Sequence, residues 1–267
     1  MKDIKRKKKI SPVSVLHCIK LVGRCALLVS AVCLYVYSRI NFPGELFAGI
    51  ENNKLFLMAL WIIFFIEMLF RFFPSRLESP GCQKVFKKRF IPTETEKTKL
   101  SSWRSTLAVF LAWITLNGII GALYLTHVID AGILILISLA YSVCDMICIL
   151  FFCPFQTFFM KNRCCVTCRI YNWDYAMMFT PLVFIDHVLA ISLFGVSLLL
   201  VLVWEITVRV HPERFSETTN ACLSCANCTE KLCHHKKQLR GFIKKNKDIL
   251  ILKGNELLSS DKKKNKQ

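Results

Sequence analysis

The chain has 267 residues, 54% of them hydrophobic, and carries a formal net charge of +18 from 36 Lys and Arg against 18 Asp and Glu. Its apolar residues gather into stretches near bilayer-spanning length, which excludes an ordinary soluble domain. The positive charge lies outside those stretches with no nucleic-acid recognition motif beside it. It therefore reads as the Lys and Arg excess of cytoplasmic loops, with anionic lipid headgroups as the electrostatic partner and no nucleic acid expected.

Residues 1–14 form a basic cytoplasmic N-terminus, with six Lys and Arg between Met1 and Lys9. A first span is predicted near 15–38. It resembles a signal peptide but lacks a small-x-small cleavage site, and Tyr35 and Tyr37 supply an interfacial anchor, so the span is expected to be retained. Lys20 and Arg24 in its first half are placed to snorkel toward the headgroups. Cys18, Cys25 and Cys33 read as small packing residues. A second span covers 55–73, where Glu67 and Arg71, four apart on one helix face, are predicted to pair.

Residues 74–104 contain Pro74, Pro80, Gly81 and Pro92, with eight basic residues against three acidic ones, and are expected to form a cytoplasmic loop. A third span near 105–126 and a fourth near 131–152 are joined only by His127 to Asp130, which forces an antiparallel hairpin. Asn117, Gly118 and Gly121 suit close helix packing. Pro154 should end or kink the fourth span, leaving a cysteine loop at 153–180. The fifth apolar segment, near 181–207, is interrupted by Asp186 and His187. A basic tail follows over 209–267, with fourteen basic residues against six acidic ones.

The expected fold is all-α: a polytopic helical membrane domain over 15–208 with about five spans and two cysteine-rich metal-binding loops. Five simple crossings raise a conflict. With the N-terminus inside they export the basic tail, against the charge rule. Either the fifth segment enters and leaves by one face, using the break at Asp186 and His187, or the tail is exported. A cytoplasmic tail is the expectation, because free thiols and lysines belong in a reducing compartment.

Eight of the fourteen cysteines fall in two groups, Cys153, Cys164, Cys165 and Cys168 in the loop, and Cys222, Cys225, Cys228 and Cys233 in the tail. Four thiolates so spaced can enclose a Zn²⁺ ion or an iron–sulfur cluster. The tail run Cys222-x2-Cys225-x2-Cys228 resembles the ferredoxin-type ligand run for a [4Fe–4S] centre. It departs from that run in its last gap, one residue longer, and in having His234 where proline follows the fourth cysteine. Zinc accepts the same thiolates, with His234 and His235 as further donors. In the loop, Arg163 and Arg169 are placed to offset a thiolate centre, and Trp173 and Tyr175 to shield it. Cys144 and Cys148, at i and i+4, read as packing residues.

Ionisable groups in or beside the spans are Glu67, Asp145, Asp186, His187 and Glu205. Asp186 and His187 form a candidate proton or quinone site. No dinucleotide or Walker loop, zinc-protease, serine-hydrolase or haem-attachment motif occurs. The resulting expectation is a metal-thiolate protein of the bacterial cytoplasmic membrane, passing electrons through iron–sulfur centres to a partner protein or quinone. The alternative is a non-enzymatic scaffold or assembly factor with structural zinc.

Overall fold

The computed structural model describes residues 12–42, 44–74, 83–94, 97–100, 102–160 and 168–224. Among them the secondary structure is helical, apart from one isolated antiparallel bridge between Pro92 and Asn220. Five helices are long and apolar enough to cross a membrane: α1 Pro12–Asn41, α2 Lys54–Phe72, α3 Trp103–Leu125, α4 Ala131–Leu150 and α6 Val188–Val210. A short helix, α5 Asp174–Phe179, lies between α4 and α6, with 3₁₀ turns on both sides over Arg169–Trp173 and Thr180–Phe184. Such a bundle is compatible with an integral membrane protein.

The long helices turn apolar side chains outward, as at Val22, Ile63, Leu111, Ile119 and Ile206. Their polar side chains, Arg24, Arg71, Asn117, Ser138, Ser142 and Ser197, are buried inside the bundle. This inversion of the soluble pattern follows from an apolar solvent, in which polar groups are satisfied only by one another.

Asp130 caps α4 through the backbone N–H of Ile133 at 2.9 Å, accepts from the Tyr35 hydroxyl at 3.0 Å and pairs with Arg39. These contacts tie the α3–α4 hairpin to the end of α1. Small residues allow two close approaches. The Tyr35 ring lies where a Cβ on Gly132 would sit, and the Phe184 ring fills the position of a Cβ on Gly121. Close packing thus explains Gly121, whereas Gly118 has nothing near its Cβ position.

The stretch from Cys168 to His187 settles the conflict over the tail. Its start is fastened at the end of the bundle where α2 finishes and α3 begins: Asp174 is bonded to Arg71, and the Arg169 guanidinium lies over the Trp103 ring. Its finish is at the other end, where Phe184 packs on Gly121 and where Ile185 and His187 line a cavity with Leu46, Glu51 and Ala131. This stretch therefore traverses the bundle as an irregular interior segment between α4 and α6. Such a backbone survives at membrane depth only when surrounded by protein. Tyr175, Met178 and Phe179 are 1–2% exposed. Side chains satisfy part of its broken ladder: the Ser138 hydroxyl donates to the Met178 carbonyl at 2.9 Å, and the Thr180 hydroxyl donates to the Ala176 carbonyl at 2.6 Å while accepting from the Trp113 indole at 3.2 Å. Pro181, which lacks a backbone N–H, falls within the stretch that is not α-helical.

Two sequence expectations are corrected. The last span begins at Val188, not near Pro181, because the apolar residues before Asp186 belong to the interior traverse. The traverse also returns the start of the tail, described as far as Ser224, to the side of the 83–100 loop, so neither a dipping fifth span nor an export of that start is needed. The Ala221 N–H donates to the Ile91 carbonyl at 2.9 Å, the Thr93 N–H to the Thr219 carbonyl at 3.2 Å, and Lys99 N–H to the Ser216 hydroxyl at 2.8 Å. Beneath this clasp, Trp204 of α6 meets Phe86 edge-on at 5.3 Å.

Two outcomes are expected. Cysteine placed at position 187 reacts with an impermeant maleimide from the face opposite to cysteine placed at position 88, in a background with reactive native thiols replaced; labelling of both from one face contradicts the traverse. Gly121→Ala lowers thermal stability by about 1–3 kcal/mol through overpacking. Phe184→Ala combined with it removes most of the added strain, as read from a double-mutant cycle.

Candidate functional site

The traverse brings a set of charges together in the half of the bundle nearer the basic loop and tail. The Arg24 guanidinium of α1 donates to Glu67 of α2 at 2.7 Å, to Asp145 of α4 at 3.3 Å and to the Ser142 carbonyl at 3.0 Å. Lys20 reaches the second oxygen of Glu67 at 3.3 Å, and the Tyr175 hydroxyl donates to the first at 3.2 Å. Beside this cluster, Arg71 grips Asp174 with both nitrogens, at 3.0 and 2.5 Å, and its guanidinium lies 4.9 Å from the Tyr175 ring centroid. Arg169 pairs with Glu205 of α6 at 2.7 Å, and the Trp173 indole donates to the other Glu205 oxygen at 3.0 Å.

This arrangement corrects several expectations. Glu67 and Arg71 share a helix face, yet each turns to an opposite charge on another element, where two or three partners replace one. Arg24 does not snorkel; it is 6% exposed and held inward by carboxylates from α2 and α4. Lys20 likewise pairs with Glu67. Arg169 spends its charge on Glu205, and Trp173 and Tyr175 serve as hydrogen-bond donors to carboxylates. The sequence signal for the lattice was the presence of acidic or basic residues in three apolar segments, Lys20 and Arg24, Glu67 and Arg71, and Asp145, with Asp174 in the loop that follows. Which acid met which base depended on helix neighbours that spacing does not reveal.

Against the lattice lies a cavity of about 120 Å³. Asp145 and Asp174 edge it, and four cysteines line it: Cys144 and Cys148 from α4, Cys153 just beyond that helix, and Cys168 at the start of the traverse. Trp113, Tyr141 and Phe155 supply aromatic walls. Two loop thiols named from the sequence, Cys153 and Cys168, are thus brought to one cavity. Cys144 and Cys148, expected to be packing residues, share it. The i, i+4 spacing identified a common helix face but not what that face would line.

The remaining sequence candidates have separate placements. Cys222 sits in the tail clasp, its thiol donating to the Arg89 carbonyl at 2.8 Å, and is not among the residues lining the cavity. Cys164, Cys165, Cys225, Cys228 and Cys233 lie outside the described residues, as do Arg163, His234 and His235. Among the described residues no three His, Cys, Asp or Glu side chains form a metal-holding group. Asp186 and His187 are exposed at the far end from the charge lattice, where the His187 ring nitrogen Nδ1 accepts the Leu189 N–H at 3.3 Å and caps α6.

The chemistry available is a thiol-bearing pocket beside neutralised carboxylates. The lattice balances three cations, Lys20, Arg24 and Arg71, with three anions, Glu67, Asp145 and Asp174. Replacing one partner leaves a buried charge uncompensated, which destabilises by about 3–5 kcal/mol. Arg71→Leu is therefore expected to lose most of its folded yield in detergent, while Arg71→Leu with Asp174→Leu recovers part of it. Equal losses in the single and double variants, measured by thermal unfolding, contradict the pairing. Comparisons with protein-family models, curated proteins and solved structures found no match to this chain.

Proposed function

We propose that this is an integral membrane metal-thiolate protein whose metal site lies at its basic end, with zinc holding the cysteine loop and tail as a docking surface for a partner protein. The observation that carries the reading is the meeting of Cys153 and Cys168 on one cavity. Cys165 precedes Cys168 by only three positions in the sequence. The tail group starts from a comparable anchor, since Cys222 is already held against Arg89. A structural role agrees with a clasp that already joins the start of the tail to the 83–100 loop, a different loop from the cysteine-bearing one, by backbone and side-chain hydrogen bonds.

The basic end faces the cytoplasm on the positive-inside rule. Lys87, Lys88 and Arg89 are exposed on one 3₁₀ turn and make no ion pair among the described residues, which suits an anionic leaflet beside them. A reducing compartment keeps thiols available for metal.

A second reading, iron–sulfur electron transfer to a partner or quinone, is favoured by one specific feature, the Cys222-x2-Cys225-x2-Cys228 spacing. Metal analysis separates the two. Protein purified without oxygen is expected to contain zinc, to be colourless and to give no paramagnetic signal after reduction. Cys168→Ser and Cys225→Ser are each expected to lower zinc content and thermal stability. Stoichiometric iron with visible absorbance transfers the assignment to electron transfer, and protein with neither metal ends both readings.

A further inference from the structure

A second cavity, of about 300 Å³, opens at the end of the bundle away from the charge lattice. Its walls come from α2, α4, the traverse and the first turns of α6, including Leu60, Phe64, Leu139, Leu182 and Leu193. Along α4 it runs from Ala131 to Ser142, a depth of about 16 Å at the helical rise. That is about half of a bilayer's hydrocarbon thickness, or one leaflet. Ser142 marks its deep end, where the Ser142 backbone carbonyl is already bonded to Arg24.

The contents of such a space follow from its lining. Water needs two to four polar partners, and these walls are almost wholly apolar. Left empty, the surrounding side chains forfeit dispersion contacts. Of its polar side chains, Ser138 and Ser142 lie deeper and donate to the Met178 and Leu139 carbonyls, while Glu51 and His187 sit at the mouth. Glu51 there is committed to the backbone N–H groups of Leu46 and Phe47, at 2.7 and 3.0 Å. His187 is different. Its Nδ1 accepts from Leu189, which leaves the hydrogen of the neutral ring on Nε2, a donor at the mouth of an apolar slot.

We infer that this cavity binds one bilayer amphiphile, its hydrocarbon chain lying along α4 and the traverse and an oxygen-acceptor head at His187. A phospholipid acyl ester and an isoprenoid with a carbonyl or phosphate head present this same chemistry. The inference is independent of the metal at the opposite end, since none of the described cysteines lines this cavity.

The test uses the full-length protein purified in mild detergent and examined by native mass spectrometry. One tightly held adduct per chain is expected, and its mass tells a phospholipid from an isoprenoid. Ala190, on the α6 wall, offers a way to fill the space. Ala190→Phe is expected to weaken retention at least about tenfold, while Ala190→Ser retains the adduct. His187→Ala is expected to reduce retention without changing zinc content. Absence of an adduct from wild-type protein, or undiminished retention by Ala190→Phe, overturns the inference. Should Ala190→Phe not fold, wild-type protein reconstituted with chain-brominated lipid decides. Trp61 lines the cavity, and the quenched emission is expected to include a component that disappears in Trp61→Phe and is relieved by excess unbrominated amphiphile only slowly. Quenching relieved as fast as that of the lipid-facing tryptophans overturns it.

Discussion

The fold depends on the pairing of charges inside an apolar solvent. Glu67, Asp145 and Asp174 lie in a bundle whose outer surface is hydrocarbon-compatible, and each is held by a cation from a different element. An isolated carboxylate there would have to neutralise or find water. Arg24 joins α1 to both α2 and α4, and Arg71 joins α2 to α5, so helix order and electrostatic balance are parts of one constraint. The forked guanidinium suits this role better than an ammonium, because it engages several oxygens at once and lies over aromatic faces, as Arg71 does with Tyr171 and Tyr175.

Asp174 gives the interior traverse its fixed end. The segment that follows is too irregular to face lipid and too buried to be a surface loop. It is stabilised by a serine from α4, a tryptophan from α3 and a glycine that admits the Phe184 ring. Adding this crossing to the five helices gives an even number of passages. The described parts of the 83–100 loop, the tail as far as Ser224 and the N-terminal half of α1 then share one end, and so do the basic residues they carry.

The two cavities divide along the same axis. The smaller one, next to the charge lattice, carries thiols and carboxylates. The larger one, at the other end, is apolar with one histidine at its mouth. Both are bounded by the traverse, because a broken segment packs less uniformly against straight helices than another helix does. The two ends of the bundle thus present different chemistry.

Much of this was legible in order of residues alone. Hydropathy located the first four long helices and the end of the fifth to within a few positions, Asp130 and the short link at 127–130 announced the α3–α4 hairpin, and the Lys and Arg distribution indicated which ends belong together. Those features are local, set by segment length, capping and the solvent of each stretch. Tertiary structure decided the rest. The run from Pro181 read as part of a span because its composition is apolar, and only packing against α3 and α4 makes it an interior traverse. Glu67 and Arg71 were neighbours on a helix face, but desolvation rewards the arrangement with more partners per charge, and those partners sit on helices far away in sequence. The convergence of Cys144, Cys148, Cys153 and Cys168 on one cavity likewise depends on how α4 meets the traverse, a relation that spacing along one chain does not encode.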